Sequence, residues 1–453
     1  MTELTAIGSI LSTADQRHKS RIIRKVSMRL IPLISLLYFV NYLDRTNISF
    51  AKLTMSKSLG LDATMYGFAA GIFFIGYLLF QVPSNLALHR FGAQRWLAVI
   101  VFAWGVVASL MAFSPNVTVL NVLRFLLGVT EAGLFPGVIV YLTHWFPRSE
   151  RARMISMFML AIPISAVIGS PLSTALMQYG HGLMFGLEGW RLMFLVEGIP
   201  AIILAIVTWV YLTDKPDDAK WLTDSERTWL KKALEAERQE TARQYSWSTK
   251  RVLLNGRTLC LGFVASGILY GLYAVSFFLP TIVAGFSKTF GVKFSLIEIG
   301  LIVAVPFAVG TVVMVLWSKH ADKTGDLVWH VAIPMILGGI SIPVALYMTS
   351  PFTAMAAVTV TVSAVLAALP VFWSMPSVFL SGAALAAGLG AINTIGQLSG
   401  FFGPYITGWL SDMTGSNRAG LWVVGIVMVL ASILTIVLGA KPRPDHTSGR
   451  SPG

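Results

Sequence analysis

Long apolar runs alternate with short polar segments along the whole chain. A helix rises about 1.5 Å per residue and the hydrocarbon core of a bilayer is about 30 Å thick, so a membrane span needs about 20 apolar residues. Windows of this kind lie at 30–50, 64–86, 96–113, 118–142, 153–175, 190–212, 258–282, 295–317, 328–349, 352–373, 378–410 and 420–440. The pattern therefore predicts an all-α membrane protein with twelve transmembrane helices.

The longest polar interruption, 213–257, separates the first six windows from the last six. Within it, Thr223-Asp-Ser-Glu226 is typical of a capping box and predicts a surface helix. The predicted organisation has five parts: an N-terminal segment at 1–29, a six-helix bundle at 30–212, a linker at 213–257, a second six-helix bundle at 258–440 and a tail at 441–453.

Composition supports a membrane protein. Hydrophobic residues make up 55% of the chain and charged residues 12%, whereas soluble domains carry about 25% charged residues. The single cysteine, Cys260, lies in an apolar run and leaves no possibility of an intrachain disulfide. The N-terminal residues lack the pattern of a cleaved signal peptide. We therefore expect the first span to direct insertion.

The distribution of basic residues predicts the orientation. With the N-terminus in the cytoplasm, 26 of the 34 lysines and arginines fall on the cytoplasmic side and six on the other. This asymmetry satisfies the positive-inside rule with both termini cytoplasmic. It also accounts for the net charge of +13 without nucleic acid. We expect a multi-pass protein of the inner (plasma) membrane.

Two loops repeat one pattern. Asn85-Leu-Ala-Leu-His89-Arg90-Phe-Gly92 follows the second span, and Ser318-Lys-His-Ala-Asp322-Lys323-Thr-Gly325 follows the eighth. Both resemble the loop motif G-x-x-x-D-[RK]-x-G of the major facilitator superfamily, at its two expected places. The first copy departs from the motif, with Asn85 in place of Gly and His89 in place of Asp.

Further blocks resemble the anion:cation symporter family within that superfamily. They comprise Asn41-Tyr-Leu-Asp44-Arg45-Thr-Asn47, Leu123-Arg124-Phe-Leu-Leu-Gly128-Val-Thr-Glu131-Ala-Gly133, Trp190-Arg191-Leu-Met-Phe-Leu-Val-Glu197-Gly198 and Gly390-Ala-Ile-Asn393-Thr-Ile-Gly396-Gln397. The resemblance covers nearly the whole chain and includes hydroxyphenylacetate, tartrate, rhamnonate, galactonate and phthalate carriers. It implies a major facilitator fold of two six-helix bundles, with a central site open alternately to either face.

Span one holds two ionisable residues and span four holds two more; each costs a few kcal/mol within a membrane and calls for an explanation. They are Asp44, Arg45, Arg124 and Glu131. We expect the two acids and two bases to neutralise one another, with a static buried network as the alternative. Arg124 and Glu131 share a helical face, but about 10 Å of rise separates them, so each needs a partner from another helix.

A guanidinium stays charged and matches a carboxylate with a planar fork, so the arginines suit an organic anion. Burial favours the protonated form of a carboxyl group and a nearby arginine favours the ionised form, so substrate occupancy can switch protonation. The resemblance implies that Asp44 and Glu131 carry protons, that Arg45 binds the anion and that Arg124 organises the network. Weaker candidates for substrate contact are Tyr42, Tyr77, Trp373, Asn393 and Gln397.

The sequence therefore predicts a monomeric, proton-coupled symporter that takes up a sugar acid, hydroxy acid or aromatic carboxylate. No cofactor or metal is expected. The alternatives are an uncoupled uniporter or channel, a proton-coupled exporter and an intramembrane enzyme. The sequence contains no P-loop, His-Glu-x-x-His or Gly-x-Ser-x-Gly motif, which argues against ATP binding by a P-loop and against the enzyme.

Overall fold

The computed structural model describes the backbone of residues 2–244, 255–378, 382–416 and 418–440, and most side chains within 18–237, 255–378, 387–416 and 418–439. These residues form α-helices joined by short turns, with no strand among them. The helices are α1 (Thr2–Thr46), α2 (Ile48–Leu59), α3 (Ala63–Phe91), α4 (Ala93–Leu110), α5 (Val117–Glu131), α6 (Leu134–Trp145), α7 (Arg148–Met159), α8 (Ala161–Tyr179), α9 (Gly189–Tyr211), α10 (Asp224–Gln244), α11 (Gly256–Phe290), α12 (Leu296–Thr324), α13 (Leu327–Val344), α14 (Pro351–Ser374), α15 (Gly382–Thr414) and α16 (Arg418–Ala440).

Within the described residues, 11 helical stretches are long and apolar enough to cross a membrane. Three of them contain two helices each: α1 with α2, α5 with α6, and α7 with α8. The predicted window 378–410 coincides with α15, which has 33 residues and is not one of the 11. The all-helical membrane fold is confirmed.

Polar side chains begin several helices by accepting hydrogen bonds from free backbone N–H groups. Asp62 accepts from the Met65 N–H at 2.6 Å where α3 begins. The predicted capping box at α10 is confirmed, because the Thr223 N–H donates to Glu226 at 2.9 Å and the Glu226 N–H donates to the Thr223 hydroxyl at 3.3 Å. These local signals explain why the helices begin where the sequence turns polar.

Apolar stripes on the helix surfaces identify the faces that meet lipid. Exposed residues on α16 are three to four positions apart, which places them on one face. They are Trp422, Ile426, Leu430, Ile433 and Val437. A similar stripe on α12 consists of Leu301, Val305, Val309, Val312 and Leu316. Large apolar side chains exposed in this regular way are typical of a helix face that contacts the lipid of a bilayer.

The chain divides into two compact units. The first takes the described residues of 1–246 and 276–308, and the second those of 247–275 and 309–453, so α11 and α12 contribute residues to both. The predicted bundle boundaries at 30–212 and 258–440 stay a prediction.

In the first unit, α3 packs on α5, α4 on α9, and α1 on α8. The α3–α5 contact brings backbones together, because a Cβ added to Gly128 would lie 1.9 Å from the Phe73 carbonyl oxygen. A Cβ added to Gly76 would lie 2.3 Å from the Phe125 carbonyl oxygen. Small residues at such positions allow transmembrane helices to approach closely.

In the second unit, α13 packs on α14 and on α16. Gly339 and Gly425 face each other across the α13–α16 contact, and a Cβ on either would lie within 2.8 Å of the other's carbonyl oxygen. The Ser432 hydroxyl donates to the Ala332 carbonyl at 2.9 Å and joins the same two helices. Close backbone packing therefore holds this unit as it does the first.

Ion pairs join α10 to α1 and to α7 in the first unit. Lys25 donates to Glu226 at 2.6 Å and Arg151 donates to Glu237 at 3.0 Å. Burial raises the pKa of Glu226, but the hydrogen bonds from Lys25 and Thr223 outweigh that effect and hold the pKa below its usual range. The linker helix is thus tied to the start of the first span.

Candidate functional site

Five acidic or basic side chains are buried in the described spans of the first unit. Asp44, Arg124 and Glu131 are fully buried, while Arg45 is 3% and Glu197 is 2% exposed. Burying an ion without a partner costs several kcal/mol, so their arrangement decides what the site can do. Four of these residues were predicted from the sequence, and Glu197 was not.

Arg45 and Glu131 form a buried ion pair between α1 and α5. The Arg45 Nη2 and Nε atoms donate to the same carboxylate oxygen, Oε2 of Glu131, at 3.0 Å and 3.3 Å. Arg45 Nη2 also lies 3.3 Å from Asn41 Oδ1, one turn earlier on α1. As the spacing within α5 predicted, Glu131 takes its partner from another helix.

Aromatic rings surround the Arg45 guanidinium. Its Cζ atom lies 4.9 Å from the ring centre of Phe73, 5.2 Å from that of Tyr77 and 5.5 Å from that of Tyr42. Tyr77 and Tyr42 are 1% and 4% exposed. The structure therefore brings two predicted contact residues, Tyr42 and Tyr77, to the same guanidinium, where the rings stabilise its charge.

Arg124 has a different environment from the one expected. Its Nε donates to the Ala69 carbonyl at 3.2 Å and its Nη2 to the Ala70 carbonyl at 3.4 Å. These carbonyls belong to α3, which α5 approaches closely at Gly128. Of the expected mutual neutralisation, the structure has the direct ion pair of Arg45 with Glu131; Arg124 is held by backbone dipoles, and the charges of Glu131 and Asp44 act on it without a direct contact.

Asp44 also lacks a cation partner among the described residues. Its Oδ2 accepts a hydrogen bond from Trp104 Nε1 at 2.6 Å, and its buried Oδ1 has no hydrogen-bond partner. Trp104 lies on α4 and is fully buried. Burial disfavours the ionised form of this acid, whereas the hydrogen bond from Trp104 and the more distant charge of Arg124 favour it.

Glu197 lies on α9 in a similar setting. Asn47 Nδ2 donates to its Oε2 at 3.0 Å, and the Ser173 hydroxyl donates to its Oε1 at 2.6 Å. The signal that could have found it is the acid itself, since Glu197 falls inside the predicted window 190–212.

A small cavity in the first unit lies next to Tyr42. Its volume is about 20 Å³, which is room for about one water molecule. Ser49 and Ser165 line it, are 0% and 1% exposed, and have buried hydroxyls without a hydrogen-bond partner. Such hydroxyls can donate to or accept from a polar ligand.

The remaining predicted residues lie in the second unit. Asn393 and Gln397 are 6% and 8% exposed and lie one turn apart on α15. The Tyr273 hydroxyl donates to Gln397 Oε1 at 2.8 Å. Trp373, near the end of α14, is half-buried with its ring edge-on to Phe372. The structure thus brings Asn393 and Gln397 together on one helix and places Trp373 on another.

No cluster of three or more metal-ligating side chains occurs within the described part of the chain. The buried groups instead offer one paired guanidinium, one guanidinium on backbone carbonyls and two acids with neutral donors only. Such a set can hold an anion and exchange protons.

Known proteins resemble this chain in sequence over nearly its whole length. The model of the Major Facilitator Superfamily matches residues 34–404. A putative tartrate transporter of Agrobacterium vitis is 47% identical over 96% of this chain and 94% of its own length. A quinolone resistance transporter of Acinetobacter baumannii is 36% identical over 94% of this chain and 96% of its own.

A solved structure has the same fold. It is a bacterial homologue of the human lysosomal transporter Spinster in an inward-facing and occupied conformation, with a TM-score of 0.71 and 17% identity over 90% of this chain and 96% of that chain. The chain is therefore a multi-pass membrane transporter rather than an enzyme, and it belongs to the Major Facilitator Superfamily.

Proposed function

We propose that this transporter takes up a small organic anion, such as a hydroxy acid, sugar acid or aromatic carboxylate, together with protons. The similarity to the putative tartrate transporter supports an organic acid as substrate. We propose further that the protein works as a monomer in the inner membrane, with both termini cytoplasmic and with six-helix bundles at 30–212 and 258–440.

The observation that carries the proposal is the buried pairing of Arg45 with Glu131. The guanidinium contacts only one oxygen of Glu131, and the rings of Tyr42 and Tyr77 lie beside it. A substrate carboxylate matches the same planar fork and competes with Glu131 for it.

This competition gives a mechanism for coupling. When a substrate carboxylate takes the Arg45 guanidinium, Glu131 loses its cation and is left as a buried negative charge. Such an orphaned charge costs about 3–5 kcal/mol, unless a proton from the water outside neutralises it. Substrate and proton therefore bind together, and on the other face the proton leaves as Glu131 regains Arg45.

The remaining predicted residues complete the proposal. Asp44 carries a second proton, since its single hydrogen-bond donor is the neutral Trp104. Arg124 keeps α3 and α5 in register through the carbonyls of Ala69 and Ala70. We assign Trp373, Asn393 and Gln397, together with Tyr42 and Tyr77, to contacts with substrate hydroxyls or a ring.

The test uses purified protein in liposomes and radiolabelled tartrate, galactonate and phthalate as probes. With an acidic exterior, we expect at least one probe to accumulate above its external concentration, and a protonophore to abolish accumulation. Equilibration without accumulation, unaffected by the pH gradient, would instead establish an uncoupled uniporter.

The second candidate is a proton-coupled exporter, favoured by the similarity to the quinolone resistance transporter. It is separated from an importer by direction. Inverted membrane vesicles acidified inside would accumulate the substrate of an exporter, whereas right-side-out vesicles acidified outside accumulate that of an importer.

A further inference from the structure

We infer that Glu197 is a further proton-binding side chain of the transport cycle. Its carboxylate is held by hydrogen bonds from Asn47, at the junction of α1 and α2, and from Ser173 on α8. The inference rests on the proposed proton-coupled transport. In each cycle the Glu197 carboxylate takes a proton from water on one side of the membrane and releases it to water on the other.

The surroundings of Glu197 carry the first part of the argument. Both carboxylate oxygens accept hydrogen bonds, but the donors are an amide and a hydroxyl, which bring no positive charge. No lysine, arginine or histidine in the described part of the chain forms an ion pair with it. A static structural acid in a membrane span would be expected to pair with a cation.

The charged groups on the helices packed around Glu197 do not change this picture. Asp44, from α1, is an acid whose charge interacts with that of Glu197. Arg191, on the same helix α9, donates to the carbonyls of Ala112 and Ser114. Helix α8, which supplies Ser173, contains no acidic or basic residue. The basic residues of the other two helices that pack on α9 form no ion pair with Glu197; they are Arg95 of α4 and Lys52 and Lys57 of α2.

Charge balance carries the second part. The buried span residues of the first unit comprise the acids Asp44, Glu131 and Glu197 and the bases Arg45 and Arg124. With all five ionised, the group holds one excess negative charge. A dicarboxylate such as the tartrate probe adds two more, so neutrality then needs three protons. Glu131 can take one when the substrate displaces it and Asp44 can take a second, so a third carboxyl, that of Glu197, takes the remaining one.

Asn47 gives Glu197 a route to the substrate site. Its side chain offers Nδ2 to Glu197, while its Oδ1 is buried without a hydrogen-bond partner. A half-turn of the amide would present Oδ1 instead, which accepts from Glu197 once that carboxyl carries a proton. Asn47 lies between Thr46, where α1 ends, and Ile48, where α2 begins. Protonation of Glu197 therefore changes the hydrogen bond that it makes with Asn47, and Asn47 is two residues from Arg45 in the chain.

The decisive measurement is the proton-to-substrate ratio, taken from the tartrate gradient that stops net flux at a set pH gradient and clamped membrane potential. The zero-flux point depends on stoichiometry and is independent of rate. We expect Glu197→Gln to lower the ratio by one proton. The matched control Glu188→Gln, at the start of the same helix, should leave it unchanged.

A second variant covers the case in which Glu197→Gln does not fold. Ser173→Ala keeps the carboxyl group but removes a donor that favours its ionised form, so the pH at half-maximal uptake should rise by about one unit. An unchanged pH profile in Ser173→Ala, or an unchanged ratio in Glu197→Gln, would overturn the inference. A wild-type zero-flux point that ignores the pH gradient would refute the proposed proton coupling itself.

Discussion

At the scale of single residues, the four ionisable groups predicted from the sequence have distinct surroundings. Arg45 pairs with Glu131, Arg124 rests on carbonyl oxygens of α3, and Asp44 accepts from Trp104. A group that pairs with an opposite charge can exchange partners, whereas one held by backbone dipoles keeps its place. Arg45 is therefore the stronger anion-binding candidate and Arg124 the structural one.

Substitution of Arg45 tests this assignment. We expect Arg45→Lys to lose at least tenfold in substrate affinity, because an ammonium is a point charge that cannot present two parallel donors to one carboxylate. Binding is measured by thermal shift against the probe that the wild type transports. Arg124→Lys is the comparison variant. We expect its main effect to be a lower melting temperature, with a smaller loss of substrate affinity than in Arg45→Lys. Normal binding by Arg45→Lys would contradict the anchoring role.

At the scale of helices, close backbone contacts fix which side chains meet. Gly128 allows α5 to lie directly against α3, and the same approach brings Arg124 within reach of the α3 carbonyls. The α10 linker helix is attached in another way, through the Lys25–Glu226 pair and the capping box. The first contact depends on close backbone packing, and the second depends on an ion pair.

The α3–α5 contact predicts a large effect of a single methyl group. In Gly128→Ala the new Cβ would meet the Phe73 carbonyl oxygen, so the helices must separate. We expect a loss of about 1–3 kcal/mol in stability, seen as a lower melting temperature in detergent, together with loss of transport. The control is Gly390→Ala on α15, where an added Cβ meets no atom within 4 Å and stability should hold.

The Lys25–Glu226 pair predicts a dependence of stability on pH. The pKa of Glu226 is lowered in the fold, because the hydrogen bonds from Lys25 and Thr223 outweigh the effect of burial. Its contribution is therefore present above the unfolded-state pKa of about 4.3 and is lost as pH falls through the lower folded-state value. We expect Glu226→Gln to flatten the melting temperature between about pH 5 and pH 3. Asp218→Asn, at an exposed acid of the same linker, should retain the wild-type slope.

At the scale of the whole molecule, the positive-inside rule predicts orientation. Starting from Cys260→Ala, we expect Lys232→Cys in the linker to be protected from a membrane-impermeant maleimide in intact cells, and Leu183→Cys between α8 and α9 to be labelled. Both positions are exposed, so the difference reports the side of the membrane. Labelling of Lys232→Cys alone would reverse the assigned orientation.

Much of this architecture follows from the sequence by itself. A bilayer accepts only long apolar helices, so the windows, the polar linker and the capping box at Thr223 could be located without coordinates. The cost of burying charge likewise made Asp44, Arg45, Arg124 and Glu131 candidates before their surroundings were known. These are local properties, set by the residue type and its neighbours in the chain.

Only the tertiary structure decided which of these groups meet. Arg45 and Glu131 are 86 positions apart, and Asn47 and Glu197 are 150 apart, so spacing along the chain could not pair them. The pairing depends on how the helices approach one another, which small residues such as Gly128 control. That physical reason also explains why Arg124, on the same face as Glu131, took backbone carbonyls while Glu131 took a cation.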